Sequence, residues 1–188
     1  MKNKMILISG MGATGKTTFA KWLSEELHVP HICYDNILKK ILKIARSSCE
    51  NDEQVNKFYG KFPYEIFWFN CEEIMKSSLI FIIDYHFNDM VKSTLDELTA
   101  KYQYETVTVH MDCPAELAYM RWNERNHKDH ANGDSERMRP DFSEEAFINA
   151  SKGNKDFRYG NHFIYVDTAD FSKISYNDIA MNIREYLS

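Results

Sequence analysis

The stretch Gly10-Met11-Gly12-Ala13-Thr14-Gly15-Lys16-Thr17 matches, without departure, the pattern of two spaced glycines, a lysine and a hydroxyl residue that makes a phosphate-binding loop. It constrains the fold because such a loop works only between a strand and the first turn of a helix. Met5-Ile6-Leu7-Ile8 before it is a short apolar run, and Thr18 to Leu27 after it carries good helix formers. Glycine lets the loop curl until successive backbone N–H groups converge on phosphate oxygens, and the helix N-terminus adds its partial positive charge. Gly10 through Thr18 are therefore the candidate nucleotide cradle, Lys16 reaching the β- and γ-phosphates and Thr17 offering its hydroxyl to Mg²⁺.

A chain of 188 residues, 44% of them apolar, suffices for one domain with a sizeable core, and one domain over 1–188 is expected. A net charge of -5 argues against a broad basic surface, so tight sequence-independent nucleic-acid binding is not expected. Cys33, Cys49, Cys71 and Cys113 lie far apart with no C-x-x-C spacing and read as free thiols of a reducing compartment. The apolar run before Ser9-Gly10 is too short for a signal-peptide core, and Leu79 to Ile83 is the longest unbroken apolar run. Neither export nor a membrane span is expected, which points to the cytoplasm.

Along the chain, His31 to Tyr34 reads as a second strand ending at Asp35. In the helix that follows, Leu38, Ile41, Leu42 and Ala45 form an apolar stripe opposite Lys39, Lys40, Lys43 and Arg46. That basic face is either solvated or steers an anionic substrate. Ser47 to Gln54 is polar and reads as a loop. Phe58 to Phe69 is crowded with rings, suited to a core or to the walls of a ligand pocket. A helix through Met75 then leads to the third strand, Leu79 to Ile83, closed by Asp84; another helix, Asp89 to Lys101, precedes the fourth, Thr106 to Met111. Pro114 marks a helix start, with Asp112 or Cys113 as its cap. On that helix Arg121 and Arg125 share a face. Asn126 to Pro140, with Arg137 and Arg139, is a polar surface segment. Ser143 opens a further helix, His162 to Val166 is the fifth strand, and Tyr176 to Leu187 the last helix. Strands alternating with helices indicate a parallel, three-layer α/β sheet, whose ligands bind outside the carboxyl ends of the strands. Gly10, Asp35, Asp84 and Asp167 all fall at that edge.

Together these residues resemble the small P-loop kinases, the group containing adenylate, shikimate and gluconate kinases, chloramphenicol phosphotransferase and polynucleotide kinase. The resemblance runs over nearly the whole chain and implies the P-loop NTPase sheet order 2-3-1-4-5, with helices on both faces and a short lid over about 121–141. It places Asp35 beside the acceptor hydroxyl, a position that also suits a helix N-cap. Asp84 is similar to the acidic residue that holds Mg²⁺ after the third strand, although Asp84-Tyr85-His86-Phe87 lacks the arginine that adenylate kinase carries there. Arg121 resembles the lid arginine near the adenine, Arg125 the one on the phosphates, and Thr168 the turn bordering the adenine. Between the second and third strands, about 35–75, the resemblance implies the acceptor-binding region.

The leading expectation is an ATP- and Mg²⁺-dependent kinase acting on a hydroxyl of a small molecule, with Lys16, Asp35, Arg121 and Arg125 as catalytic residues and Thr17 and Asp84 at the metal. A kinase for a nucleoside, nucleotide or polynucleotide 5′-hydroxyl is the second reading, and a regulatory ATPase without an acceptor the third. Asn154-Lys155-Asp156 lacks the spacing of a guanine-reading N-K-x-D element, which disfavours a GTPase.

Overall fold

The computed structural model describes residues 3–58, 60–131 and 143–188. Five strands, β1 (Asn3–Ser9), β2 (His31–Cys33), β3 (Ile80–Asp84), β4 (Tyr104–Asp112) and β5 (His162–Asp167), form one sheet in the order β2-β3-β1-β4-β5. Every pairing is parallel, and Ile6 at the centre sits beside Ile82 on one side and Val107 on the other. Parallel strands need crossovers, and those crossovers put helices on both faces. Side chains alternate across the sheet accordingly. Met5, Leu7, Phe81 and Ile83 join one core with α4 (Lys61–Met75) and α5 (Lys92–Tyr102). Ile6, Ile8, Ile82 and Val109 join the other with α1 (Lys16–Leu27) and α8 (Tyr176–Leu187). Among the described residues no helix is long and apolar enough to cross a membrane.

Two local expectations are corrected. Strand β2 ends at Cys33, and α2 (Tyr34–Ser48) follows with no loop between them. Asp35 therefore lies inside the first turn of α2 and does not cap it; its negative charge suits the positive end of the helix dipole. The supposed loop Ser47 to Gln54 is largely helical, because α2 runs to Ser48 and α3 spans Asp52–Asn56. The Asn51 side chain accepts from the Gln54 N–H while the Gln54 side chain accepts from Glu50 N–H, a reciprocal cap that a count of polar residues overlooks.

Helices α6 (Ala115–Ala131) and α7 (Glu144–Lys155) pack together over the end of β1 around Met11, Cys113, Ala118 and Phe147. Helix α6 begins one residue after Pro114, whose carbonyl accepts from the Ala118 N–H. Residues 132–141 of the stretch expected as a lid, Arg137 and Arg139 included, lie outside the described residues.

Candidate active site

The loop owes its shape to close approaches. Gly10, at φ 127°, passes so near β4 that a Cβ there would stand 1.9 Å from the Met111 carbonyl oxygen. No other residue fits. Gly15, at φ 88°, precedes α1 and would bring a Cβ to 2.9 Å from the Phe171 ring. Inside the loop the buried Thr14 hydroxyl donates to the Met11 carbonyl at 2.9 Å, and Lys16 Nζ donates to the same oxygen at 2.5 Å. Lys16 is only 6% exposed, and burial pushes its pKa below the usual lysine value, with Asp84 and Asp35 pulling the other way.

Thr17 follows on the first turn of α1, and its hydroxyl donates to Asp84 Oδ2 at 2.5 Å. The Cys33 thiol, raised to about 12 by burial and by Asp84, also faces that oxygen at 3.3 Å as a neutral donor. Thr17 and Asp84 bring hard oxygen donors together, and no group of three or more His, Cys, Asp or Glu among the described residues is placed to hold a metal. Two protein oxygens suit Mg²⁺, which keeps water and takes substrate phosphates rather than a full protein cage.

These groups open on a cavity of about 490 Å³. Its floor is Gly12, Ala13, Gly15, Lys16, Thr17 and Thr18, continued by Asp84. Gly10, Met11 and Thr14 do not line it; they act through the shape of the loop. One wall is α2, presenting Tyr34, Asp35, Leu38, Lys39 and Leu42. Asp35 Oδ1 stands 3.5 Å from His86 Nε2, so that imidazole helps set the direction of the carboxylate. Tyr34 and Tyr85 support this end edge to face, with ring centroids 4.9 Å apart, and Tyr85 stacks on the buried Phe67 at 5.1 Å.

The other wall comes from α6 and α7. Phe147, Ala150, Ser151 and Asn154 recur at helical spacing on α7, and Trp122, Arg125 and Asn126 face the same space from α6. Of this wall the sequence singles out Arg125 alone, although the i, i+3, i+4, i+7 pattern from Phe147 was there to be read. His86 was missed as well. No described residue of the aromatic segment Phe58 to Phe69 lines the cavity. Phe67 and Trp68 are core, and Phe62 and Phe69 are exposed.

The two arginines part company. Arg125 lines the cavity and lies within the electrostatic reach of Lys16. Arg121 does not line it. Its guanidinium donates to the Thr168 and Ala169 carbonyls at 2.8 and 2.9 Å and lies over the Phe171 ring at 4.2 Å. Thr168 is fully buried, its hydroxyl donating to the Asp112 carbonyl at 3.0 Å, and it too lies off the cavity. Arg121 and Thr168 thus belong to the turn that follows β5.

This fold is shared with known kinases. A protein from Chloroflexus aurantiacus provisionally described as a kinase superposes with a TM-score of 0.79 at 20% identity, over 99% of this chain and 96% of that one. A gluconokinase from Sinorhizobium meliloti gives 0.55 at 14%, covering 97% of both chains. The APS kinase of Mycobacterium tuberculosis, solved with AMPPNP and APS, gives 0.55 at 11%, over 99% and 98%. The architecture is that of the P-loop kinase group. A family model described as an AAA domain, AAA_18, matches residues 6–139, and the chain belongs to that family. No curated protein sequence matches it.

Proposed function

We propose that the protein is an ATP- and Mg²⁺-dependent kinase that transfers the γ-phosphoryl group to a hydroxyl of a small molecule. The observation that carries this is the shared cavity: Asp35 faces the space above Lys16 and Thr17, with His86 fixing its direction. Phosphoryl transfer asks chiefly for alignment and neutralisation of charge. The loop N–H groups and Lys16 would hold the phosphates, Lys16 exchanging the Met11 carbonyl for a phosphate oxygen. Thr17 and Asp84 would hold Mg²⁺, which supplies charge neutralisation between the phosphates. Asp35 would orient the acceptor hydroxyl and receive its proton late, and Arg125 would meet charge on the transferred group. Arg121 and Thr168 would shape the nucleotide side from the turn after β5.

The net charge of -5 favours a small acceptor over a polynucleotide end, and a carboxylate lining the same cavity as the loop favours an enzyme with an acceptor over a regulatory ATPase. The gluconokinase and APS kinase likenesses support an acceptor hydroxyl without choosing it. The test is ADP release from MgATP with and without pooled sugars, sugar acids, aminoglycosides, nucleosides and 5′-hydroxyl oligonucleotides. One pool should accelerate release, and Asp35→Asn should reduce that acceleration by about 100-fold or more while MgATP still binds. Transfer at the wild-type rate in Asp35→Asn overturns the role given to Asp35.

A further inference from the structure

Asn126, on α6, is 7% exposed, and its Oδ1 is buried with no hydrogen-bond partner among the described residues. Buried polar atoms in folded proteins are almost always paired, and leaving one unpaired is costly. This one lies in the lining of the cavity, and so does Ser151, a 6% exposed hydroxyl residue on the neighbouring helix α7. The place of Ser151 along α7 separates it from the phosphate end. A Cβ at Gly12 of the loop would lie 3.3 Å from the Phe147 ring, which puts Phe147 against the loop. Seven residues on, roughly 10 Å at helical rise, Asn154 Nδ2 donates to the Phe87 carbonyl at 2.9 Å, beside His86 and Asn88. Ser151 falls between these points, along the path from the phosphates to the Asp35 end.

We propose that Asn126 and Ser151 form a specificity site that hydrogen-bonds a second hydroxyl of the acceptor, so that the acceptor is a compact polyhydroxylated molecule. This rests on the kinase reading and deepens it. The reacting hydroxyl is turned towards Asp35 on the α2 wall, and a non-reacting hydroxyl donates to Asn126 Oδ1 on the α6–α7 wall while Ser151 supplies the complementary hydroxyl. Bridging both walls in this way selects for hydroxyls at two places on one small frame. A monohydric alcohol leaves Asn126 Oδ1 unpaired and is rejected, since a site built around a polar group discriminates against the analogue that lacks it.

Binding is measured by titration calorimetry on the full chain saturated with Mg·ADP. The probes are xylitol, D-glucose and myo-inositol, set against 1-pentanol and cyclohexanol. At least one polyol should bind about tenfold or more tightly than the alcohol of matched carbon count. Asn126→Leu should erase that preference and leave nucleotide affinity unchanged, and Ser151→Ala should reduce it. The melting midpoint of the chain without ligands should hold or rise in Asn126→Leu, because an unpaired buried polar atom has been removed; a purely structural Asn126 would lower it. Absence of any polyol preference in the wild type, or a preference that survives Asn126→Leu, overturns the proposal. The kinase reading stands or falls separately on acceptor-stimulated ADP release.

Discussion

Lys16 shows how burial and chemistry meet in one side chain. Its ammonium is almost wholly withdrawn from water, and its partner is a loop carbonyl that Thr14 also satisfies. Replacing it with methionine therefore removes a desolvated charge without orphaning an acceptor. Lys16→Met should melt no lower than the wild type, yet lose the stabilisation conferred by MgATP. A ligand at about 100 times its Kd contributes about 2.7 kcal/mol, which for a chain of this size is a rise in Tm of roughly 5–11 °C. Scanning calorimetry of both proteins with and without MgATP checks this, and an undiminished ligand shift in Lys16→Met would remove Lys16 from the phosphate site. Residues of this kind were legible because the loop demands particular residue types at fixed spacing. Asp35 could be singled out from the sequence, but its place inside the first turn of α2, rather than at a strand end or a cap, could not, since nothing in its neighbours says that the helix already starts at Tyr34. Asn126 and Ser151 were invisible, because an ordinary polar residue becomes informative only when its burial is known.

At the scale of elements, α6 is tied to the turn after β5 by the fork of Arg121. Arg121→Ala would leave the Thr168 and Ala169 carbonyls without their donor and strip the cation from Phe171. A loss of about 1–3 kcal/mol is expected, read from the urea midpoint, and lysine should restore only part of it because it lacks the planar fork. No change in Arg121→Ala would show that α6 is held elsewhere. Strongly periodic elements such as α8, and the strands bounded by Asp84 and Asp112, were readable to within a residue or two. The short helix α3 was not, because its cap is a side-chain exchange between Asn51 and Gln54 rather than a hydrophobic rhythm. The Phe58 to Phe69 rings left core and pocket wall undecided for a related reason: aromatic density does not say which rings the fold buries, and the structure puts Phe67 and Trp68 in the core.

The whole molecule carries a pH sensitivity in its sheet. His110 on β4 is fully buried, with Ser9 Oγ 3.3 Å from Nδ1 and no partner for Nε2 among the described residues. Burial, aided by Arg158, lowers its pKa from 6.5 to about 4. The unfolded chain takes up that proton first, so stability should fall as pH drops from about 6.5 towards 4 and stop falling on this account below it. The full effect is about 3 kcal/mol, with half-buried His31 adding in the same direction. Denaturation of the wild type and His110→Asn across that range checks it; equal slopes in the two would exclude His110 as the source.

Gly12 has a consequence of another kind. Its backbone is not in the left-handed region, and it occupies a position of the loop pattern that accepts any residue. What confines it is the Phe147 ring, 3.3 Å from where a Cβ would stand. Positions 12 and 147, distant in the gene, are in effect a single inherited choice. Among descendants of a common ancestor a larger residue at 12 should arrive with a smaller one at 147, and an alignment in which the two drift independently would refute that kinship.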